Sequence, residues 1–120
     1  MKHQHFDVET AGFYGAYWAC AGGSDCAVIA MIGDDPEDWL ARSAVKWLCG
    51  RGVNVLTMSP AKKDYGHHNY PLERVETAIS WLKANGNHKI GIAGASTTGT
   101  LALTAAAMFP DVTLTIAMTP

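Results

Sequence analysis

The chain has 120 residues, a formal net charge of -2 and an apolar content of 48%. This composition suggests neither a disordered chain nor nucleic-acid binding, which depends on clustered lysine and arginine. The three cysteines lack CxxC spacing, so the sequence indicates neither a disulfide framework nor a zinc site.

No apolar run reaches the roughly 18 residues of a membrane span, and the N-terminus is polar rather than signal-like. We therefore expect a soluble cytoplasmic protein with no membrane partner. No cofactor or metal is expected either, because no complete nucleotide-binding pattern and no convergent set of metal ligands is present.

The N-terminal segments "HFDVET" and "FYGAYWAC" predict two short strands that pair across Ala11 and Gly12. Residues 26–33 form a continuous apolar run that ends at glycine, which predicts a central strand buried on both faces. A helix is predicted over residues 36–52, with Glu37 and Asp38 in its first turn. Its predicted apolar face consists of residues four apart: Leu40, Ala44 and Leu48.

Residues 53–59 predict another strand, and a polar loop follows. Apolar residues at helical spacing then predict a second helix from residue 71 to the "NGN" stop at residues 85–87. The segment "KIGIAGA" predicts a third buried strand, and "VTLTIAMT" alternates as a strand at the end of the chain. The predicted face of the second helix is Leu72, Val75, Ile79 and Leu82, and a third helix is marked by Leu101, Ala105 and Met108.

Alternating strands and helices demand a mostly parallel sheet, because parallel neighbours need crossover connections of helical length. The predicted fold is an α/β protein with an open, doubly wound, mostly parallel sheet. Functional residues in such sheets lie beyond the carboxyl ends of the strands. Trp39, Trp47 and Trp81 are expected in core or interface packing.

The segment "GIAGASTTGTL" places Ser96 in a glycine-containing turn between a predicted strand and a predicted helix. A phosphate-binding loop would need a lysine where Thr100 stands, and a dinucleotide fingerprint would need different glycine spacing. A nucleophile elbow needs small residues two positions before and two positions after the serine, where Gly94 and Thr98 stand, but Gly99 comes one position later than the GxSxG pattern requires. An ordinary turn in which Ser96 or Thr97 caps the helix fits equally well.

Together with these motifs, "GDDPEDWLARSAVKWLCGRGVNVL" and "YGHHNYPLERVETAISWLK" resemble the α/β-hydrolase domain shared by acyl-CoA thioesterases and bile acid-CoA:amino acid N-acyltransferases. The resemblance implies Ser96 as a nucleophile that forms a covalent acyl-enzyme. It also implies an oxyanion hole made by the Thr97 N–H and a backbone N–H near Asp34. The substrate implied is an acyl ester or acyl-CoA, and serine rather than cysteine favours hydrolysis over transfer to an amine.

In these hydrolases an acid and then a histidine follow the serine. Here only Asp111 follows as an acid, and no histidine follows Ser96. The chain is therefore expected to form one domain over residues 1–120 that corresponds to the N-terminal half of a hydrolase domain, ending after the strand that follows the nucleophile helix. His67 and His68 are interpreted as part of a solvated loop.

The remaining histidines, His3, His5 and His88, are expected at the surface, and Asp34 and Asp35 are interpreted as helix-capping acids. The strand over residues 112–118 is expected to be a sheet edge, and exposed edges favour self-association. Two functions stay open: a serine hydrolase of acyl thioesters or esters, and a non-catalytic α/β module that acts through self-assembly or a partner.

Overall fold

The computed structural model describes residues 3–33, 35–58, 72–95 and 97–118, and of residues 97–101 and 118 it describes the backbone alone. Within these residues a mixed sheet carries helices on both faces, which confirms the predicted α/β class. The strands are β1 (Gln4–Phe6), β2 (Gly15–Trp18), β3 (Cys26–Met31), β4 (Asn54–Met58), β5 (Lys89–Ala95) and β6 (Val112–Met118). The helices are α1 (Val8–Ala11), α2 (Trp39–Cys49), α3 (Leu72–Ala84) and α4 (Thr97–Met108).

The six strands follow the order β1-β2-β4-β3-β5-β6. The pairs β4–β3, β3–β5 and β5–β6 are parallel, whereas β2 runs antiparallel to both β1 and β4. The mostly parallel, open sheet and the pairing of the two N-terminal strands are both confirmed. Since β4 and β5 lie on opposite sides of β3, the chain reverses its direction of winding at β3, and a site is expected at the carboxyl ends there.

The first predicted strand is shorter than expected, because residues 8–11 form a helical turn. The carboxylate of Asp7 accepts a hydrogen bond from the Thr10 N–H at 3.0 Å, which caps this turn. Gly12 then adopts a left-handed conformation with a φ of 84° and ends it. A short capped turn therefore replaces half of the expected strand.

Helix α2 begins at Trp39, three residues later than Pro36, so Glu37 and Asp38 do not lie in its first turn. Asp38 is the N-cap, and its carboxylate accepts from the Ala41 N–H at 2.8 Å. Leu40 is 43% exposed, contrary to prediction, because it lies about 100° around the helix from the stripe that faces the sheet. The buried stripe is Ala41, Val45 and Leu48.

The predicted face of α3 is confirmed, and the helix ends at Ala84, just before the predicted stop. In α4 Ala105 is buried as expected, but Met108 is 57% exposed, and the side chain of Leu101 lies outside the described residues.

Trp81 packs against Phe6 with ring centroids 4.8 Å apart. By contrast, Trp39 and Trp47 are 73% and 55% exposed.

The sheet has a separate apolar cluster on each face. One cluster lies under α3 and α4 and includes Ile29, Leu56, Val75, Leu82, Ile90 and Ile92. The other lies under α2 and consists of Ala16, Trp18, Val28, Ala30, Val45, Leu48, Val55 and Ala93.

A buried polar network ties the amino ends of the strands together. The Asn54 side chain donates to the Asn87 side chain at 2.9 Å and accepts from the Cys20 N–H at 2.9 Å. Asn87 in turn donates to the Tyr17 hydroxyl at 3.2 Å and to the Leu82 carbonyl at 3.2 Å. The network therefore links β4, the α3–β5 turn and β2 at the end of the sheet away from the expected site.

Candidate active site

The junction between β5 and α4 is abrupt. Strand β5 ends at Ala95 and helix α4 begins at Thr97, so a single residue, Ser96, separates strand from helix. Ser96 itself lies outside the described residues, and so do residues 59–71. A one-residue connection between a buried strand and a helix is the setting in which α/β-hydrolases place their nucleophile.

The first N–H groups of a helix have no intrahelical partner, and they lie at the positive end of the helix dipole. Thr97 is the first residue of α4, so its N–H belongs to this set. The side chain of Thr97 is not described, and the oxyanion role expected for it concerns the main chain alone.

The loop between β3 and α2, called here the 32–38 loop, follows the strand next to β5. In the parallel register Met31, the last residue of β3, lies opposite Gly94 of β5. The 32–38 loop and the Ser96 junction therefore follow neighbouring strands at the carboxyl end of the sheet. Asp34, the expected site of the other oxyanion donor, lies outside the described residues.

The described part of the 32–38 loop folds tightly around the cap of α2. Gly33 has a φ of 95°, and a Cβ at this position would overlap the carboxylate of Asp38. Asp38 also accepts from the Asp35 N–H at 3.2 Å, and Asp35 accepts from the Glu37 N–H at 3.0 Å. The cap of α2 is thus Asp38 rather than Asp35, and Asp35 instead stabilises the turn before it.

Strand β4 is hydrogen-bonded to the same loop through Thr57. The buried hydroxyl of Thr57 lies 2.6 Å from the Pro36 carbonyl and 3.2 Å from the Ala16 carbonyl. A hydroxyl has one proton to donate, and the shorter distance favours donation to Pro36. Thr57 also accepts from the indole N–H of Trp18 at 3.1 Å.

Glu37 joins the loop to strand β1. Its two carboxylate oxygens each lie 2.6 Å from a histidine ring nitrogen, Nε2 of His3 and Nδ1 of His5. Burial opposes the ionisation of Glu37, but the hydrogen bonds from His3 and His5 and the charges of these histidines hold the pKa of its carboxyl below the ordinary value. His3 is not a simple surface residue, since its ring stacks on Trp18 with centroids 4.1 Å apart.

Tyr14 also contacts the loop. Its hydroxyl donates to the carboxylate of Asp35 at 3.2 Å. Burial, followed by the nearby negative charge of Asp35, raises the pKa of the Tyr14 phenol above its ordinary value. The tyrosine therefore stays protonated at neutral pH and serves as a donor.

None of the described histidines is placed to act as a base for Ser96. His3 and His5 belong to the β1 end of the sheet, and β5 is four strand spacings away, about 19 Å. His88 immediately precedes β5 and therefore lies at the opposite end of that strand from Ser96. His67 and His68 lie outside the described residues.

Asp111, the acid that follows Ser96 in the sequence, forms an ion pair with Lys83 at 2.9 Å. It directly precedes β6, so it lies at the amino end of the parallel strands, away from the Ser96 junction. Among the described residues no group of three or more His, Cys, Asp or Glu side chains is arranged to hold a metal ion. In that same part of the chain no helix has the length and apolarity to cross a bilayer.

Comparison with solved structures identifies the fold. The chain is similar to an esterase of Pyrococcus furiosus, Pf2001, in one crystal form with a TM-score of 0.71 and 22% identity over 97% of this chain and 48% of the esterase. A second crystal form of that esterase matches with a TM-score of 0.65 and 16% identity over 95% of this chain and 54% of the esterase. The chain thus has an α/β fold like that of an esterase and spans about half the length of that protein.

No known family profile matches the sequence. No curated protein matches it either. The specific resemblance to acyl-CoA thioesterases and N-acyltransferases therefore remains a prediction, while the esterase-like fold is confirmed.

Several residues that shape the site were missed from the sequence. The alternation His3–Gln4–His5 places both rings on one face of a strand, and this much follows from the pleat alone. Their partner Glu37 is more than 30 positions away, and Thr57 reads as an ordinary strand residue. No local pattern connects these residues, because the sheet brings them together.

Proposed function

We propose that the chain provides the nucleophile and the oxyanion hole of a serine hydrolase acting on esters, with acyl thioesters as the finer substrate class. The observation that carries this proposal is the single-residue junction between β5 and α4 at Ser96, in a sheet similar to that of an esterase. The adjacent 32–38 loop supports it, because α/β-hydrolases take the other oxyanion donor from the loop at this place in the fold.

In the proposed reaction the Ser96 hydroxyl oxygen attacks the acyl carbonyl carbon while a base accepts its proton. The carbonyl oxygen becomes an oxyanion that accepts hydrogen bonds from the Thr97 N–H and from an N–H near Asp34. Collapse expels the alcohol or thiol, which takes the proton back from the base. Water then attacks the acyl-enzyme by the same route and releases the acid.

The base is the part of this mechanism that the described residues do not supply. The esterase similar in fold is about twice as long as this chain, and the proposal places the base in a region equivalent to its remaining half. Reading the gene beyond the Pro120 codon tests this: an in-frame acid followed by a histidine supports it.

The direct test is labelling with a fluorophosphonate, followed by mass spectrometry of the adduct, and hydrolysis of p-nitrophenyl butyrate and butyryl-CoA. Because no described histidine reaches Ser96, the 120-residue chain is assayed with and without added imidazole as a diffusible base. Labelling and hydrolysis are expected to disappear in Ser96→Ala and to persist in Ser80→Ala, a change at an exposed position of α3. Equal activity in both variants would reject Ser96 as the nucleophile.

The alternative function, a self-associating α/β module, is favoured by the surface beside β6. Among the described residues β6 pairs only with β5, and on the α2 face its side chains Leu114 and Ile116 are 57% and 38% exposed. An apolar groove of about 260 Å³ lies next to them and is lined in part by Trp47 and Ala93. We propose that a second copy pairs along Val112–Met118. A monomeric mass by light scattering at micromolar concentration would contradict this.

A further inference from the structure

We propose that His3 and His5 are positioning residues that clamp the 32–38 loop to the sheet through Glu37. The effect on hydrolysis rests on the proposed function, whereas the clamp itself does not.

The contacts form a closed connection between loop and strands. Glu37 is bonded on both carboxylate oxygens, at 2.6 Å to His3 and at 2.6 Å to His5. His3 stacks on Trp18, whose indole N–H reaches Thr57, and Thr57 is bonded to the carbonyl of Pro36. The loop is thereby attached to β1 through Glu37 and to β4 through the neighbouring residue.

Every element around Glu37 contributes a polar or charged group. From α2, the Arg42 Nε donates to the Glu37 carbonyl at 2.8 Å, and its guanidinium lies 5.2 Å from the centre of the Trp18 ring. From the segment before β2, Tyr14 carries a hydroxyl bonded to Asp35. The loop itself adds the carboxylate of Asp35, so two acidic side chains lie close together, and His3 and His5 face one of them.

The strength of the clamp follows from the chemistry of these groups. An imidazole donates through a ring N–H, and a carboxylate oxygen is a strong acceptor, so each contact to Glu37 is stronger than a hydrogen bond between neutral groups. Protonation of Glu37 in strong acid removes this charged acceptor and weakens the clamp.

The consequence concerns the main chain of the loop next to the Ser96 junction. An oxyanion hole works when its N–H groups are held in place before the reaction. The 32–38 loop is hydrogen-bonded at Pro36, Glu37 and Asp38, and the contacts at Glu37 are those made by the two histidines. Histidines about 19 Å from the nucleophile thus act on the reaction through the loop and not by contact with substrate.

The test is amide hydrogen exchange of residues 35, 37 and 38 in the intact 120-residue chain at pH 6, expressed as protection factors. Glu37→Gln is expected to lower their protection about fivefold, the upper end of what a partly exposed charged contact contributes. Glu76→Gln, a matched change on the exposed side of α3, is expected to leave their protection unchanged.

His5→Gln provides a second variant, because the His5 side chain is 44% exposed and its replacement leaves the core intact. It is expected to lower the protection of these residues about twofold, while His88→Gln, at another exposed histidine, leaves it unchanged. Equal protection in the wild type and in Glu37→Gln would overturn the proposal.

Hydrolysis measurements separate this proposal from the proposed function. If the chain hydrolyses esters, His5→Gln is expected to lower kcat at pH 6 with little change in KM. If exchange responds as expected but Ser96→Ala has no effect on activity, the clamp stands and the proposed function fails. If Ser96→Ala abolishes activity while Glu37→Gln leaves exchange unchanged, the function stands and the clamp fails.

Discussion

On the α3/α4 face of the sheet Ile92 is 1% exposed, whereas on the α2 face Ile116, on the neighbouring strand, is 38% exposed. The first face is covered by two helices, and the second is covered by α2 over β2, β4 and β3 but lies open beside β6 among the described residues. The covered face is therefore expected to supply most of the folding stability, while the open face is available for further contacts.

The largest expected effect is a truncation on the covered face. Ile92→Ala should lower the free energy of unfolding by about 2–5 kcal/mol, because it leaves a cavity under the helices. Ile116→Ala is the matched control, with the same change in side chain on the next strand and the opposite face. Urea denaturation followed by circular dichroism measures both, and equal losses of unfolding free energy in the two variants would contradict the expected difference between the faces.

The next effect concerns the buried polar network at the amino ends of the strands. Asn87 is fully buried, and Asn87→Ala removes the acceptor used by Asn54 and the donor to Tyr17. A loss of about 1–3 kcal/mol is expected, since the remaining polar groups stay buried without partners. Asn85→Ala, at an exposed asparagine two positions earlier, should cost less when both variants are unfolded with urea, and the reverse order would contradict this account.

A smaller effect is expected from acid. The pKa of Glu37 is lower in the folded protein than its ordinary value of 4.5, so its contribution to stability is present above about pH 4.5 and is lost as the pH falls through the folded pKa. Between pH 6 and 3 the free energy of unfolding of the wild type should fall by about 1 kcal/mol or less beyond any fall in Glu37→Gln. Denaturation at each pH provides the measurement, and parallel pH curves for the two proteins would refute it.

The smallest effect on stability is expected on the open face. Leu114→Thr changes a side chain that is 57% exposed and keeps a residue that favours strands, so the free energy of unfolding should change by about 0.5 kcal/mol or less. The same change should reduce any dimer seen by light scattering, because it removes apolar surface beside the edge strand. A large loss of stability with no change in mass would show that Leu114 serves the core instead.

The predictions from the sequence are confirmed where a single repeating pattern of residues covers a whole strand or helix. The runs that form β3, β4 and β5 and the apolar face of α3 were recognised because burial on a sheet or helix imposes a period on the chain. The predictions were wrong where a tertiary contact determines where a helix begins and which of its residues are buried. Helix α2 starts at Trp39 because Asp38 accepts the Ala41 N–H, and of the three residues predicted for its buried face only Leu48 belongs to the buried stripe.

For the candidate site, the sequence by itself determined that a serine separates a strand from a helix, since Ser96 stands between an apolar run and a helical pattern. Only the tertiary structure decided what surrounds that junction. The register of β3 against β5 brings the 32–38 loop beside it, and the loop's attachment to His3, His5 and Thr57 joins residues far apart in the chain. Periodicity records which residues are buried, but it carries no information about which distant polar groups meet, because that depends on how the strands are ordered in the sheet.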